Sequence, residues 1–154
     1  MAENLASHRD TEQGQLELRH LRFGWWTVFV FVLLGIALEG LHAFKSEFFL
    51  SANHETRRLM WTLSHAHGTL LGLVNIAMAF TLTRVSPWPP RSRRLASGSL
   101  LAATLLIPGG FFLGGLVIHA GDPGPGVFLV PPGGLLLLYA VFLLARATRV
   151  ADPR

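Results

Sequence analysis

The stretch FGWWTVFVFVLLGIALEGLHA, residues Phe23–Ala43, decides the fold. Its length matches the roughly 20 apolar residues that a helix needs to cross a hydrocarbon core of about 30 Å. Three more stretches of the same kind follow, at Leu59–Thr83, Leu95–Ile118 and Val127–Ala145. The connectors carry turn formers and charge: Ser86-Pro87-Trp88-Pro89-Pro90-Arg91 after the second stretch, Gly121-Asp122-Pro123-Gly124-Pro125-Gly126 after the third. Proline and glycine at that density end helices. No barrel-type alternation occurs, so the spans read as helices that satisfy their own backbone. The sequence thus predicts an all-α, polytopic membrane four-helix bundle. Pro108 and the Pro131-Pro132-Gly133-Gly134 run predict kinks in the third and fourth helices, or a delayed start to the fourth.

Composition agrees. Of 154 residues, 51% are hydrophobic and only 14% charged, against roughly 25% charged in soluble domains. That deficit excludes a disordered chain, a nucleic-acid-binding module and an ordinary cytosolic enzyme. The absence of cysteine excludes a disulfide framework, an iron–sulfur cluster, thiolate zinc sites and a cysteine nucleophile. Met1–Arg22 reads as a disordered polar tail that becomes a short helix near Gln15–Leu21, with no activity assigned to it. The four-span domain covers 23–147 and a second tail 148–154. The first span follows a long polar segment and no small-residue cleavage site follows it, unlike a signal peptide.

Charge sets the expected orientation. An even number of spans puts both termini on one side, with Arg9, Arg19, Arg22, Arg84, Arg91, Arg93, Arg94, Arg146, Arg149 and Arg154. The other side holds only Lys45, Arg57 and Arg58. This bias predicts a multi-pass inner-membrane protein with cytoplasmic termini. The pI of 11.0 then reflects topology, with some affinity for anionic lipid.

The polar residues within the spans concentrate in the other, outer half. His42, His54, His65, His67 and His119 all fall there, with Glu39 and Asp122, whereas His8 and His20 lie in the tail and the inner half shows no comparable residue. Ionisable groups at membrane depth cost roughly 2.5–3.5 kcal/mol on insertion scales, so they face the bundle interior and carry function. With span centres at Leu33 and Leu71, Glu39 and His65 lie about 9 Å outward of the midplane, His67 about 6 Å and His42 about 13 Å. Gly35, Glu39 and His42 share one face of the first helix; His65, Gly68, Gly72 and Asn75 line one face of the second. His67 is turned about 200° from His65, so one small ion cannot take both without distortion. The glycines, including Gly109, Gly110, Gly114 and Gly115, fit either close helix packing or the edge of a flat ligand.

Histidine and carboxylate without thiolate suit iron, zinc or copper, or the axial positions of haem. Glu39, His42, His65 and His67 are the candidate metal ligands. His42, His65, His67 and His119 are the candidate haem ligands, with Arg57 and Arg58 placed to hold propionates. The segment Trp61-Thr62-Leu63-Ser64-His65-Ala66-His67-Gly68-Thr69-Leu70-Leu71-Gly72 resembles the His-x-His helix of the catalytic subunits of haem–copper oxidases and nitric oxide reductases. The resemblance covers about a dozen residues and implies haem b ligation at His65 or His67. That family's other copper and high-spin haem ligand motifs do not occur here, so its oxygen or nitric oxide reduction is not implied.

The leading expectation is an integral membrane haem- or metal-binding protein acting in redox or electron transfer. Two others stand beside it. One is an accessory subunit or scaffold whose polar network fixes helix register, and the other a proton or small-solute pathway. The latter needs a polar route inward, and beyond Asn75 the sequence offers little. A metal-bound water with Glu39 as base would permit hydrolysis, so enzyme activity stays open. Expected partners are the lipid bilayer, a second copy of the chain or a larger respiratory-type membrane complex, and no nucleic acid.

Overall fold

The computed structural model describes residues 2–50, 55–85 and 88–150, nearly all of them helical. In chain order these are α1 (Ala2–Ala43), the single turn α2 (Glu47–Leu50), α3 (Glu55–Arg84), α4 (Pro90–Leu116) and α5 (Val130–Val150). Four segments are long and apolar enough to cross a membrane: Thr11–Ala43, Glu55–Arg84, Pro90–Leu116 and Pro125–Arg149. The multi-pass membrane architecture therefore stands.

The helices stand side by side. α1 packs on α3, α3 on α4, and α4 on α5, while α1 and α5 flank the row without a packed interface between them among the described residues. Accordingly 44% and 50% of the apolar windows of α3 and α4 are buried, against 17% for α1 and for α5. The expected bundle is thus an open one. Lipid is as apolar as leucine, so the flanking helices gain little by closing a ring. Among the described residues, the cluster shared by all four helices lies near the two chain termini. There Leu16 of α1 joins Met78, Leu82, Leu100, Ala140 and Leu143. This is called the terminal end below, and the opposite one the histidine end.

The polar segment before Phe23 departs from expectation. It forms no separate disordered tail: α1 runs unbroken from Ala2. At 1.5 Å per residue it is about 63 Å long, twice the hydrocarbon thickness. Tertiary contacts hold it at Glu12 and Gln13, about three turns in. Glu12 meets Arg94 at 2.6 Å, Gln13 accepts from Arg93 at 2.8 Å, and the Gln13 amide donates to the Leu82 carbonyl.

Register between α1 and α3 is set by glycine. A Cβ at Gly68 would overlap the Phe31 ring, one at Gly35 would overlap the His65 imidazole, and one at Gly72 would lie 2.7 Å from Val28. The predicted close-packing face of α3 is therefore its interface with α1. Val28, not Leu33, is level with the middle of α3, a displacement of about 7 Å along α1. Glu39 consequently lies about one turn farther out than His65, and His20 is drawn into the bundle.

The caps are local chemistry. α1 ends with Lys45 at φ 49°, its N–H donating to His42 and that of Ser46 to Leu41. This is the paired closure normally given to glycine. After α4, Ile118–His119 and Asp122–Pro123 form a minimal antiparallel ladder. Positive φ at Ala120 and Gly121 suits the tight turn between them. Pro131 and Pro132 fall in the first turn of α5, where a missing N–H costs nothing, so the fourth helix does start late. Pro108 sits inside α4, which continues through it.

Candidate functional site

The histidine end divides the predicted ligands among separate places. His65 turns toward α1, where its Nδ1 lies 2.6 Å from the Phe31 carbonyl. Gly35, one turn beyond Phe31, supplies the notch that admits the ring. A carbonyl only accepts, so Nδ1 carries the proton and the neutral ring keeps its lone pair on Nε2. Nε2 has no donor among the described residues. His65 and Glu39 border one open cleft of about 370 Å³ with Val32, Ile36 and Thr62. Glu39 and the exposed His42 border the next, of about 320 Å³, with Arg58 and Glu55.

His67 turns the other way. Its Nδ1 is 2.8 Å from the Leu63 carbonyl one turn earlier, and its ring tilts over Phe111 of α4 at 5.0 Å between centroids. The same logic leaves its Nε2 as an acceptor. The divergence expected from the 200° turn is therefore present. His119 is exposed on the small hairpin opposite Asp122, away from both clefts. His54 lies outside the described residues.

The two arginines expected to hold propionates donate to carbonyls at the helix ends. Arg57 Nε donates to the Gly115 carbonyl at 3.1 Å, and its guanidinium lies 5.8 Å from the Trp61 ring centre. Arg58 donates to the Phe49 carbonyl at 3.1 Å. Among the described residues, no three histidine or carboxylate groups come together closely enough to share a metal ion. Glu39, His42, His65 and His67 thus do not form one ligand set, because the α1 register carries Glu39 and His42 outward while His67 faces α4.

A second polar cluster, at the terminal half, was not expected. His20 is fully buried. Its Nδ1 is 2.8 Å from Asn75 Oδ1, and its Nε2 is 2.8 Å from Ser97 Oγ. Asn75 Nδ2 donates to Thr104 Oγ1 at 2.8 Å and to the Leu71 carbonyl at 2.8 Å; Thr104 donates to Leu100. Both amide hydrogens being used, Oδ1 must accept from His20 Nδ1–H, and Nε2 must accept from Ser97 O–H. The chain Ser97→His20→Asn75→Thr104→Leu100 runs one way and is complete, tying α1, α3 and α4 together. Two more cross-links flank the histidine end: Ser64 to the Pro108 carbonyl at 2.9 Å and Trp61 Nε1 to the Phe112 carbonyl at 3.2 Å.

The sequence did contain a signal for His20. Among the described side chains of α1 the buried ones are His20, Gly24, Thr27, Gly35 and Leu38, and with the half-buried Phe31 between Thr27 and Gly35 they form a single helical stripe at three- and four-residue steps. Extending the Gly35 face backward past Phe23 reaches His20. No protein-family model matches the chain, and no curated protein or solved structure matches it.

Proposed function

We propose that this chain is a membrane redox subunit that binds haem b, or alternatively a single iron, copper or zinc ion, through His65. One observation carries the proposal: Nδ1–H of His65 is anchored on a backbone carbonyl, leaving Nε2 as an unpaired lone pair in an open cleft beside Glu39. Histidines that bind metal are commonly oriented in this way by a carbonyl partner. At membrane depth neither lipid tail nor water supplies a donor to that nitrogen. The apolar cleft would take the edge of a flat ligand, and Gly35 keeps α1 thin beside it. A bound haem would supply one-electron chemistry at the iron; the protein would contribute the ligand nitrogen and an apolar wall. The remaining coordination positions would then be filled from a partner, in keeping with an accessory place in a larger complex.

A second reading, a structural scaffold without a cofactor, is supported by the complete His20 chain and by the glycine faces already filled by neighbouring helices. A proton path is disfavoured even though polar groups do occur beyond Asn75. An amide in mid-chain donates and accepts but does not pass a proton on.

Oxidised and reduced visible spectra of the protein purified in mild detergent, with elemental analysis of the same sample, separate these readings. A Soret band that shifts on reduction and is lost in His65→Ala but kept in His119→Ala supports haem ligation at His65. Stoichiometric metal without a Soret band, lost in the same variant, moves the ligand to a bare ion. A folded, colourless, metal-free protein leaves the scaffold reading in place.

A further inference from the structure

At the terminal end, α4 and α5 part to leave a cleft of about 440 Å³. Its walls grade from apolar to cationic. Arg91 and Arg146 stand at the mouth, Leu95 and Leu143 line the walls, and the amphipathic ring of Tyr139 lies deepest toward mid-membrane. The stripe on α5, Tyr139, Leu143 and Arg146, follows i, i+4, i+7 and so forms one face. Trp88 closes the floor, buried and held by its Nε1 donating to Ser92 at 3.2 Å.

The two arginines have no acidic partner among the described residues. Among the described residues, the one ion pair at this end joins Glu12 to Arg94, on the α1 side of α4. Arg91 and Arg146 are both exposed. Two guanidinium groups with unused fork-shaped donors recognise phosphate in a bidentate manner, and here they cap a groove with apolar walls at the height where headgroups lie. Basic pockets between helices at a membrane surface suit anionic lipid headgroups.

We propose that this cleft binds one anionic phospholipid of the leaflet at the terminal end. The phosphate lies between Arg91 and Arg146, and one acyl chain runs along Leu95 and Leu143 toward Tyr139. The occupant is a lipid and not a soluble phosphate because the groove continues away from the charges as apolar wall.

The test uses the full chain purified in detergent and exchanged into nanodiscs of phosphatidylcholine with a small fraction of phosphatidylglycerol. Native mass spectrometry then counts the lipid retained. Wild-type protein should keep one phosphatidylglycerol in preference to phosphatidylcholine. With each arginine near the surface contributing about a factor of five, the double variant Arg91→Gln/Arg146→Gln should bind it about thirtyfold more weakly. Arg149→Gln, at the same end but outside the cleft, should behave as wild type. Leu95→Trp, which fills the groove and leaves both charges, should also lose the lipid, and melting temperatures in plain detergent confirm that each variant is folded. Equal retention of both lipids, or a double variant that binds like wild type, overturns the proposal. So does an Arg149→Gln effect of the same size, or displacement of the lipid by millimolar inorganic phosphate.

Discussion

Among the described residues, Asn75 alone has a side chain that bonds to both neighbours of α3 in the terminal half, and its removal should be felt as a coupling rather than a local loss. Asn75→Ala breaks the bonds to His20 and to Thr104. Interhelical hydrogen bonds in membranes average about 0.6 kcal/mol, with a maximum near 1.7. Thr104 still donates to Leu100, so the group left without a partner is the buried His20 N–H, at a cost of about 1–3 kcal/mol. The expected total is about 2–4 kcal/mol. His20→Ala removes the same central bond together with that to Ser97, and costs about 2–3 kcal/mol by the same reasoning. Once His20 is gone, Asn75→Ala orphans nothing further and the shared bond is already lost, so the double variant should fall short of additivity by about 2–3 kcal/mol. Reversible unfolding in mixed micelles, followed by tryptophan fluorescence, measures all four corners of the cycle. Additive losses would refute the hydrogen-bond chain, and so would a His20→Ala cost below about 0.5 kcal/mol, the range of exposed positions.

Other substitutions probe other parts of the fold. Gly68→Ala should destabilise by about 2 kcal/mol or more in the same assay, since its methyl group overlaps the Phe31 ring. Gly98→Ala, in open space on α4, should instead be neutral or stabilise by up to about 1 kcal/mol. Lys45→Gly should raise stability by about 0.5–1 kcal/mol, because the α1 cap holds a lysine at positive φ. Gly35→Ala should displace His65 from the Phe31 carbonyl. If haem is bound at Nε2, the Soret band should shift or weaken, while Gly98→Ala leaves it unchanged.

The four spans were legible because hydropathy integrates over some twenty residues, and no local detail can reverse such a sum. The small-residue face of α3 was legible too: His65, Gly68, Gly72 and Asn75 do meet α1. Register was not. Taking each span's centre as the midplane assumes equal overhang, whereas α1 is much longer than its partners and slides by about 7 Å to seat Phe31 over Gly68. That slip separated Glu39 from the level of His65 and brought in His20, which hydropathy had assigned to a tail beside Arg19 and Arg22. The side-by-side order of the helices was likewise invisible, since alternative pairings bury similar apolar stripes.

The bonds of His20 also constrain how the chain is made. Its partners Asn75 and Ser97 follow it by 55 and 77 residues. At the usual 5–20 residues per second of synthesis, about 4–15 s pass before Ser97 leaves the ribosome. Asn75 emerges sooner, after about 3–11 s, and until then neither partner of the imidazole exists, while Arg19 and Arg22 beside it favour water. The buried bonds at the start of α1 therefore close only after α3 and the first turns of α4 have been made. The first span synthesised is thus completed by a residue of the third.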